Sequence, residues 1–254
     1  MTKPSLTLAA TMFGLALGVS PMTEAHAVEL KVIAGGSLTA SMNAIAPEFE
    51  KASGHKLVTH FDSTPNIIAR VTSGTPFDLV VAPVDVFKDA AAKARFAPGP
   101  TVDIARVGYG VIVRSGAPKP DISTADTFKK ALLDAPSVAF LPASAAGAYV
   151  TKVFERLGIG EEMKAKTKVQ TAPAQIAPAV AKGEAELGVF LTSVLIAPGV
   201  ELVGSFPGDL QQELVFTAAV AADTKEAAAA KALIDYLRTP AATAVIKAAG
   251  MTPG

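Results

Sequence analysis

Cysteine is absent from this chain, and so is tryptophan. The first absence excludes disulfides, thiolate metal sites and cysteine nucleophiles, and it removes the residue that a lipid anchor would modify. The second, with aromatics at only 6%, argues against a sugar-binding platform, where rings stack on aromatic faces. Excess charge is missing too: 23 Lys and Arg balance 23 Asp and Glu, so no net field holds nucleic acid or an anionic membrane. A bilayer span needs roughly 20 consecutive apolar residues, and only one stretch, near the N-terminus, comes close.

That stretch reads as an export signal over residues 1–27. Lys3 supplies a positive start, residues 6–19 an apolar run, and Ala25-His26-Ala27 the small-x-small pattern of a cleavage site. The run is shorter than a span and is soon followed by Pro21 and Glu24. Cleavage is expected after Ala27, which gives a free protein in the periplasm. About 225 residues remain, enough for one large domain or two ordinary ones. An apolar content of 50% gives no hint of disorder.

The mature chain alternates short β-rich runs with helical periodicity. Residues 29–34 form a strand ending in Gly35-Gly36-Ser37, after which Leu38, Met42, Ile45 and Phe49 recur at helical spacing up to Gly54. A second strand over 56–61 runs into Asp62-Ser63-Thr64-Pro65 and a helix over 66–73. The nearly continuous apolar run 77–82 suits a parallel strand covered on both faces, and a helix over 84–93 follows. Residues 106–114 and the turn-rich 115–120 read as a crossing between lobes. The second lobe then shows a strand over 137–141, a turn at 142–147, a helix over 148–157 and an apolar strand over 187–191. A β-like stretch at 214–221 and Ala- and Lys-rich helices bring the chain back to the first lobe. The expected fold is therefore α/β and two-lobed, with mixed or parallel sheets, helices on both faces and a cleft between the lobes. Lobe I takes residues 28–107 and 216–254, and lobe II takes 108–215.

Three turns place small and hydroxyl residues where a strand ends and a helix begins: Gly36-Ser37-Leu38-Thr39, Ser63-Thr64 and Ser144-Ala145-Ala146. Helix N-termini carry unpaired N–H groups and roughly half a positive charge, so neutral donors suffice to hold an anion there. The plainer alternative is that each Ser or Thr caps its own helix; three such turns over both lobes favour a shared anion site. Arg70, one to two turns into its helix, is a possible carboxylate contact or a solvated charge. His60 is the candidate for acid/base chemistry if there is any. Asp78 enters its strand from the start and reads as structural, and Glu184 and Glu186 sit on the polar edge of a turn. Metal-ligand spacing, a nucleophile elbow and a phosphate loop are all absent from the sequence, and no cofactor is expected.

Five stretches together carry a resemblance: Ala34-Gly35-Gly36-Ser37-Leu38-Thr39, Phe49-Glu50-Lys51-Ala52-Ser53-Gly54-His55, Ser73-Gly74-Thr75-Pro76-Phe77-Asp78-Leu79, Gly183-Glu184-Ala185-Glu186-Leu187-Gly188 and the closing Ala-Gly250-Met-Thr-Pro253. Over nearly the whole mature chain these resemble the periplasmic molybdate-binding proteins and their divergent relatives. The resemblance implies the type II periplasmic-binding-protein fold and hinge closure over a small anionic ligand. It also implies delivery to an inner-membrane ABC permease by a monomer that binds no nucleic acid. It places ligand contacts at Ser37, at Ser63 or Thr64, and in the turn from Ser144 to Gly147, with Thr39, Ala145 and Ala146 beside them. Molybdate binders carry a tyrosine after Leu-Gly-x-x, whereas this chain reads Leu187-Gly-Val-Phe-Leu191-Thr192-Ser193. Thr192 or Ser193 then serves a different anion, a carboxylate included. The same branch is similar to a periplasmic aconitate isomerase, so an allylic proton shift is the enzyme alternative, with His60 or an unassigned carboxylate as the acid/base group and cations such as Arg70 as substrate clamp.

Overall fold

The computed structural model describes residues 27–254; the expected export signal lies outside these residues except for Ala27. Among the described residues no helix is long and apolar enough to cross a membrane.

β1 (Glu29–Gly35) lies between two parallel neighbours, β2 (Lys56–Asp62) and β3 (Leu79–Pro83). The connections are a 3-10 turn over Gly36–Leu38 with α1 (Thr39–Ser53), and α2 (Thr64–Thr72). Gly54 ends α1 in the left-handed region at φ 75°, where a side chain would be strained. All five residues of β3 are buried, because the period of two sends alternate side chains into two apolar layers. Leu79 and Val81 join Val32 in the larger core; Val80 and Ala82 join Ile33, Ile67 and Val71 in a second one under α2.

The single helix expected over 84–93 is two, α3 (Val84–Lys88) and α4 (Ala90–Lys93). Asp89 between them is extended, and its carboxylate accepts hydrogen bonds from the Ala91 and Ala92 N–H groups. An aspartate that competes for backbone amides breaks a helix in this way.

β4 (Val102–Arg114) is longer than the stretch expected from Arg106, and it changes partners along its length. From Val102 to Gly108 it pairs antiparallel with β9 (Glu213–Val220), and β10 (Thr252–Pro253) covers its other edge at Ala105 and Arg106. From Tyr109 to Ile112 it pairs with β7 (Leu187–Leu191), and from Gly110 to Arg114 with β8 (Val200–Ser205). Parallel to β7 follow β5 (Val138–Phe140) and β6 (Thr167–Val169). The strand order is β2-β1-β3-β9-β4-β7-β5-β6, with β9 antiparallel to β3, so the sheets are mixed.

Around the second half lie α5 (Ala125–Asp134), α6 (Ala145–Arg156), α7 (Gly160–Lys166), α8 (Ile176–Ala181) and α9 (Thr192–Leu195). After β9 has returned the chain to β3, α10 (Ala227–Leu237) and α11 (Pro240–Ala248) pack on α1. There Phe49 and Tyr236 meet edge to face at 5.4 Å, a geometry that aligns the positive edge of one ring with the negative face of the other.

Candidate functional site

The carboxyl ends of β1, β2 and β3 and the start of α6 converge on one small cavity. Its free space, counting the part open to solvent, is about 270 Å³. Gly36, Ser37, Ser63, Thr64, Ser144 and Ala146 line it, so the structure brings together residues from all three turns that the sequence singled out.

Their hydroxyls are not equivalent. Ser144 is a true cap: its Oγ accepts from the Gly147 N–H at 2.9 Å and donates to the Leu141 carbonyl at 2.9 Å. A Cβ at Gly147 would sit 1.8 Å from that carbonyl oxygen, so the tight turn needs glycine there. Ser63 also occupies an N-cap position, before α2, but its hydroxyl makes no capping bond. Asp62 before it braces the turn instead, its Oδ1 accepting from the Ser63 N–H at 2.8 Å and from Asn66 Nδ2 at 2.7 Å, neither of them a first-turn backbone amide of α2. Ser37 lies inside the 3-10 turn, which Thr39 closes by donating both its backbone N–H and its hydroxyl to the Gly36 carbonyl, the hydroxyl at 2.7 Å. Ser37 and Ser63 thus present uncommitted hydroxyls to the cavity.

First-turn amides of a helix have no intrahelical acceptor. At α6, Ser144 takes the amide of Gly147 and the Thr64 hydroxyl takes that of Ala145 at 3.1 Å. This leaves the amide of Ala146, a cavity-lining residue. The contact between Thr64 and Ala145 joins the β2–α2 turn directly to the β5–α6 turn. A second contact of this kind sets Gly36 against the ring of Pro173, where an added Cβ would approach to 3.2 Å.

Among the described residues no Lys, Arg or His lines the cavity, and Asp62 is the one titratable group there. Burial pushes the Asp62 carboxyl up, but hydrogen bonds from Asn66, the Ser63 N–H and His60 outweigh this and hold it below the usual carboxylate range.

The remaining candidates stand elsewhere. Thr39 is spent on its own turn. Thr192 donates to the Gly108 carbonyl at 3.3 Å, on β4, and the half-buried Ser193 beside it has a buried hydroxyl oxygen with no hydrogen-bond partner among the described residues. Arg70 does not reach the cavity lining. His60 points its Nε2 at Asp62 Oδ2, 3.3 Å away, with 44% of its side chain exposed. Asp78 is structural, accepting from the Lys31 N–H at 2.8 Å and from the Thr224 hydroxyl at 2.5 Å. Glu184 and Glu186 are exposed.

Sequence reasoning passed over Asp62, Pro83, Pro173, Phe190, Leu214 and Phe216, which complete the lining with Gly35. Asp62 had a local signal, its place beside Ser63. Phe216 had none: it reaches the cavity because β9 pairs with β3 in the register that sets it opposite Pro83.

A family profile of bacterial extracellular solute-binding proteins matches residues 30–252. The chain belongs to that family. It is 33% identical over 259 aligned residues to an aconitate isomerase of a Pseudomonas species, covering 98% of this chain and 96% of the relative. To a molybdate-binding protein of Azotobacter vinelandii it is 34% identical over 232 residues, covering 89% and 90%. Among solved structures, the periplasmic molybdate-binding protein of Azotobacter vinelandii superposes with a TM-score of 0.71 at 23% identity, covering 88% of this chain and 98% of that one. The fold of this solute-binding protein is therefore type II. Among the described residues the phenol expected of molybdate binders has no substitute in the cavity: Tyr149 donates its hydroxyl to the Leu210 carbonyl at 2.9 Å, Tyr109 packs against the Tyr149 ring, and Tyr236 meets Phe49 edge to face.

Proposed function

We propose that this solute-binding protein captures a small oxyanion in the periplasm and presents it to an inner-membrane ABC permease. Two uncommitted serine hydroxyls, Ser37 and Ser63, face a cavity that also receives the N-termini of α2 and α6 and has no cationic side chain in its lining among the described residues; that observation carries the reading. Donors of this kind hold an anion by hydrogen bonds and helix-end charge alone. Both halves of the sheet supply them, so the ligand stabilises the closed form over the open one. The lobes are 28–107 with 216–254, and 108–215, and the change of partners along β4 at Gly108 and Tyr109 supports a hinge there.

The aconitate isomerase relative motivates a second reading, an allylic proton shift on a tricarboxylate. Three features of the cavity give it less support. A tricarboxylate carries several charges, and among the described residues no cationic side chain lines the cavity. Its small volume lies below the roughly 300 to 1,000 Å³ usual for organic ligands. Asp62, its one titratable group, is held below the usual range, which makes it a weak base, whereas an effective base has a pKa near the working pH.

Thermal unfolding of the mature protein with molybdate, tungstate, sulfate, phosphate, citrate, and cis- and trans-aconitate separates the two, with NMR of the aconitate samples for conversion. At a ligand concentration of about 100 Kd, binding adds about 2.7 kcal/mol and raises Tm by roughly 5 to 10 °C. A shift of that size with an oxyanion and no conversion supports transport. Interconversion of the aconitates overturns it in favour of the enzyme.

A further inference from the structure

A carboxylate in the lining of an anion cavity works against most anions. Asp62 lines the cavity beside Ser63 and Ser37, and no lysine or arginine neutralises it: its partners are the Ser63 N–H, the Asn66 amide and the His60 ring. Oδ1 already accepts two hydrogen bonds, while Oδ2 has only the His60 contact at 3.3 Å. An ionised carboxylate is an acceptor without a donor, so Oδ2 repels a bare oxygen anion and accepts a hydrogen bond from any ligand that brings an O–H. The surrounding donors then hold the charged part of the same ligand.

We infer that Asp62 makes the cleft selective for anions that carry an O–H donor beside their charge, and that it rejects fully ionised anions of the same shape. This inference rests on the reading of the cavity as an anion site and narrows its ligand class. The O–H has two chemical sources, a proton retained by a tetrahedral oxyanion or the hydroxyl of a small hydroxy acid. A buried polar group left unpaired by the wrong ligand is what gives such sites their discrimination, about 10⁴-fold and above for a fully enclosed partner. Asp62, whose side chain is 28% exposed, should give about a hundredfold.

Two matched pairs test this by calorimetric titration of the mature protein at pH 7: phosphate against sulfate, and lactate against propionate. In each pair the shapes are close and only the first member offers an O–H to Asp62. A preference of about a hundredfold for phosphate or for lactate, reduced to within about threefold in Asp62→Asn, supports the inference, and the pair that shows it identifies the source of the hydroxyl. Asparagine keeps an oxygen for the Ser63 N–H, and circular dichroism and Tm show whether the variant is folded; should it fail to fold, the wild-type preference in the two pairs decides. Equal binding within both pairs, or a preference that survives Asp62→Asn, overturns the role of Asp62 and leaves the anion site standing. If none of the four binds and the wider oxyanion screen is also negative, the anion site itself falls and the inference with it.

Discussion

The hydroxyl of Thr64, in the first turn of α2, accepts a hydrogen bond at 3.1 Å from the backbone N–H of Ala145, in the first turn of α6. The two residues are 81 positions apart in sequence, and both turns border the cavity. Thr64 is buried, so water does not readily replace it as a partner for that amide. On the proposed hinge closure, this bond would give the closed form a protein–protein component independent of any ligand.

Thr64→Val removes this acceptor with little change in shape. Leaving a buried amide unpaired costs about 1 to 3 kcal/mol, and the cost falls on the closed form alone. Apparent ligand affinity should drop by about 5- to 150-fold, with a more expanded ligand-free protein in small-angle scattering. Unchanged affinity and unchanged dimensions would show that Thr64 and Ala145 do not contribute to closure.

Ser63 and Ser144 occupy equivalent N-cap positions but do different work. Ser144→Ala loses a bond to the Gly147 amide, and stability should fall by about 1 kcal/mol, the usual loss for a cap. Ser63→Ala loses no capping bond, so stability should change by no more than about 0.5 kcal/mol. Ligand affinity should instead fall by about 5- to 150-fold, with Ser37→Ala behaving alike. Urea unfolding and calorimetric titration of the three variants separate the roles; a Ser63 variant that loses stability but keeps affinity contradicts the assignment.

Most of the first sheet is legible because β3 is a continuous apolar run and β1 and β2 are short β-rich segments that end in small-residue or hydroxyl turns, as at Gly35-Gly36-Ser37. The second half was less so. β8 is partly exposed along its length and β6 has three residues, so neither has a strong pattern of its own; each is a strand because β4 or β5 offers an edge. The three site turns could be read since helix N-termini advertise themselves locally. Which serine is free could not, because Ser63 and Ser144 hold the same N-cap position and only Ser144 makes the capping bond. Phe190 and Phe216 reach the cavity through strand register alone.

The lowered pKa of Asp62 has a consequence for stability. A carboxyl whose folded value lies below its unfolded value, about 3.9, binds protons more readily when unfolded. Its contribution is fully present above that unfolded value and is lost as pH falls through the lowered folded value. Asp62→Asn should therefore be less stable than wild type at pH 7, and the gap should narrow as pH falls below about 4. Urea unfolding at pH 7, 4 and 3 measures it; a gap that is constant across this range would mean that the Asp62 carboxyl is not held down by its neighbours.

The crossing on β4 carries the last prediction. Between the segment paired with β9, which ends at Gly108, and the segment paired with β8, which begins at Gly110, Tyr109 has the Gln211 side chain as a partner. Gln211 Oε1 accepts from the Tyr109 N–H and Nε2 donates to the Tyr109 carbonyl, both at 3.0 Å. The amide acts as a single rung of ladder where the strand changes partners, and a Cβ at Gly108 would come within 2.7 Å of Nε2. A side-chain rung permits rotation that a continuous strand would resist. Gln211→Ala leaves the Tyr109 N–H without its acceptor in a region where Tyr109 is 2% exposed, at a cost of about 1 to 3 kcal/mol. Gln211→Glu keeps the acceptor but loses the donor, and the Phe206 N–H still satisfies the Tyr109 carbonyl at 3.1 Å. Hydrogen exchange should therefore show faster exchange of the Tyr109 amide in Gln211→Ala than in Gln211→Glu. Equal protection in the two variants would mean that the rung does not hold the crossing.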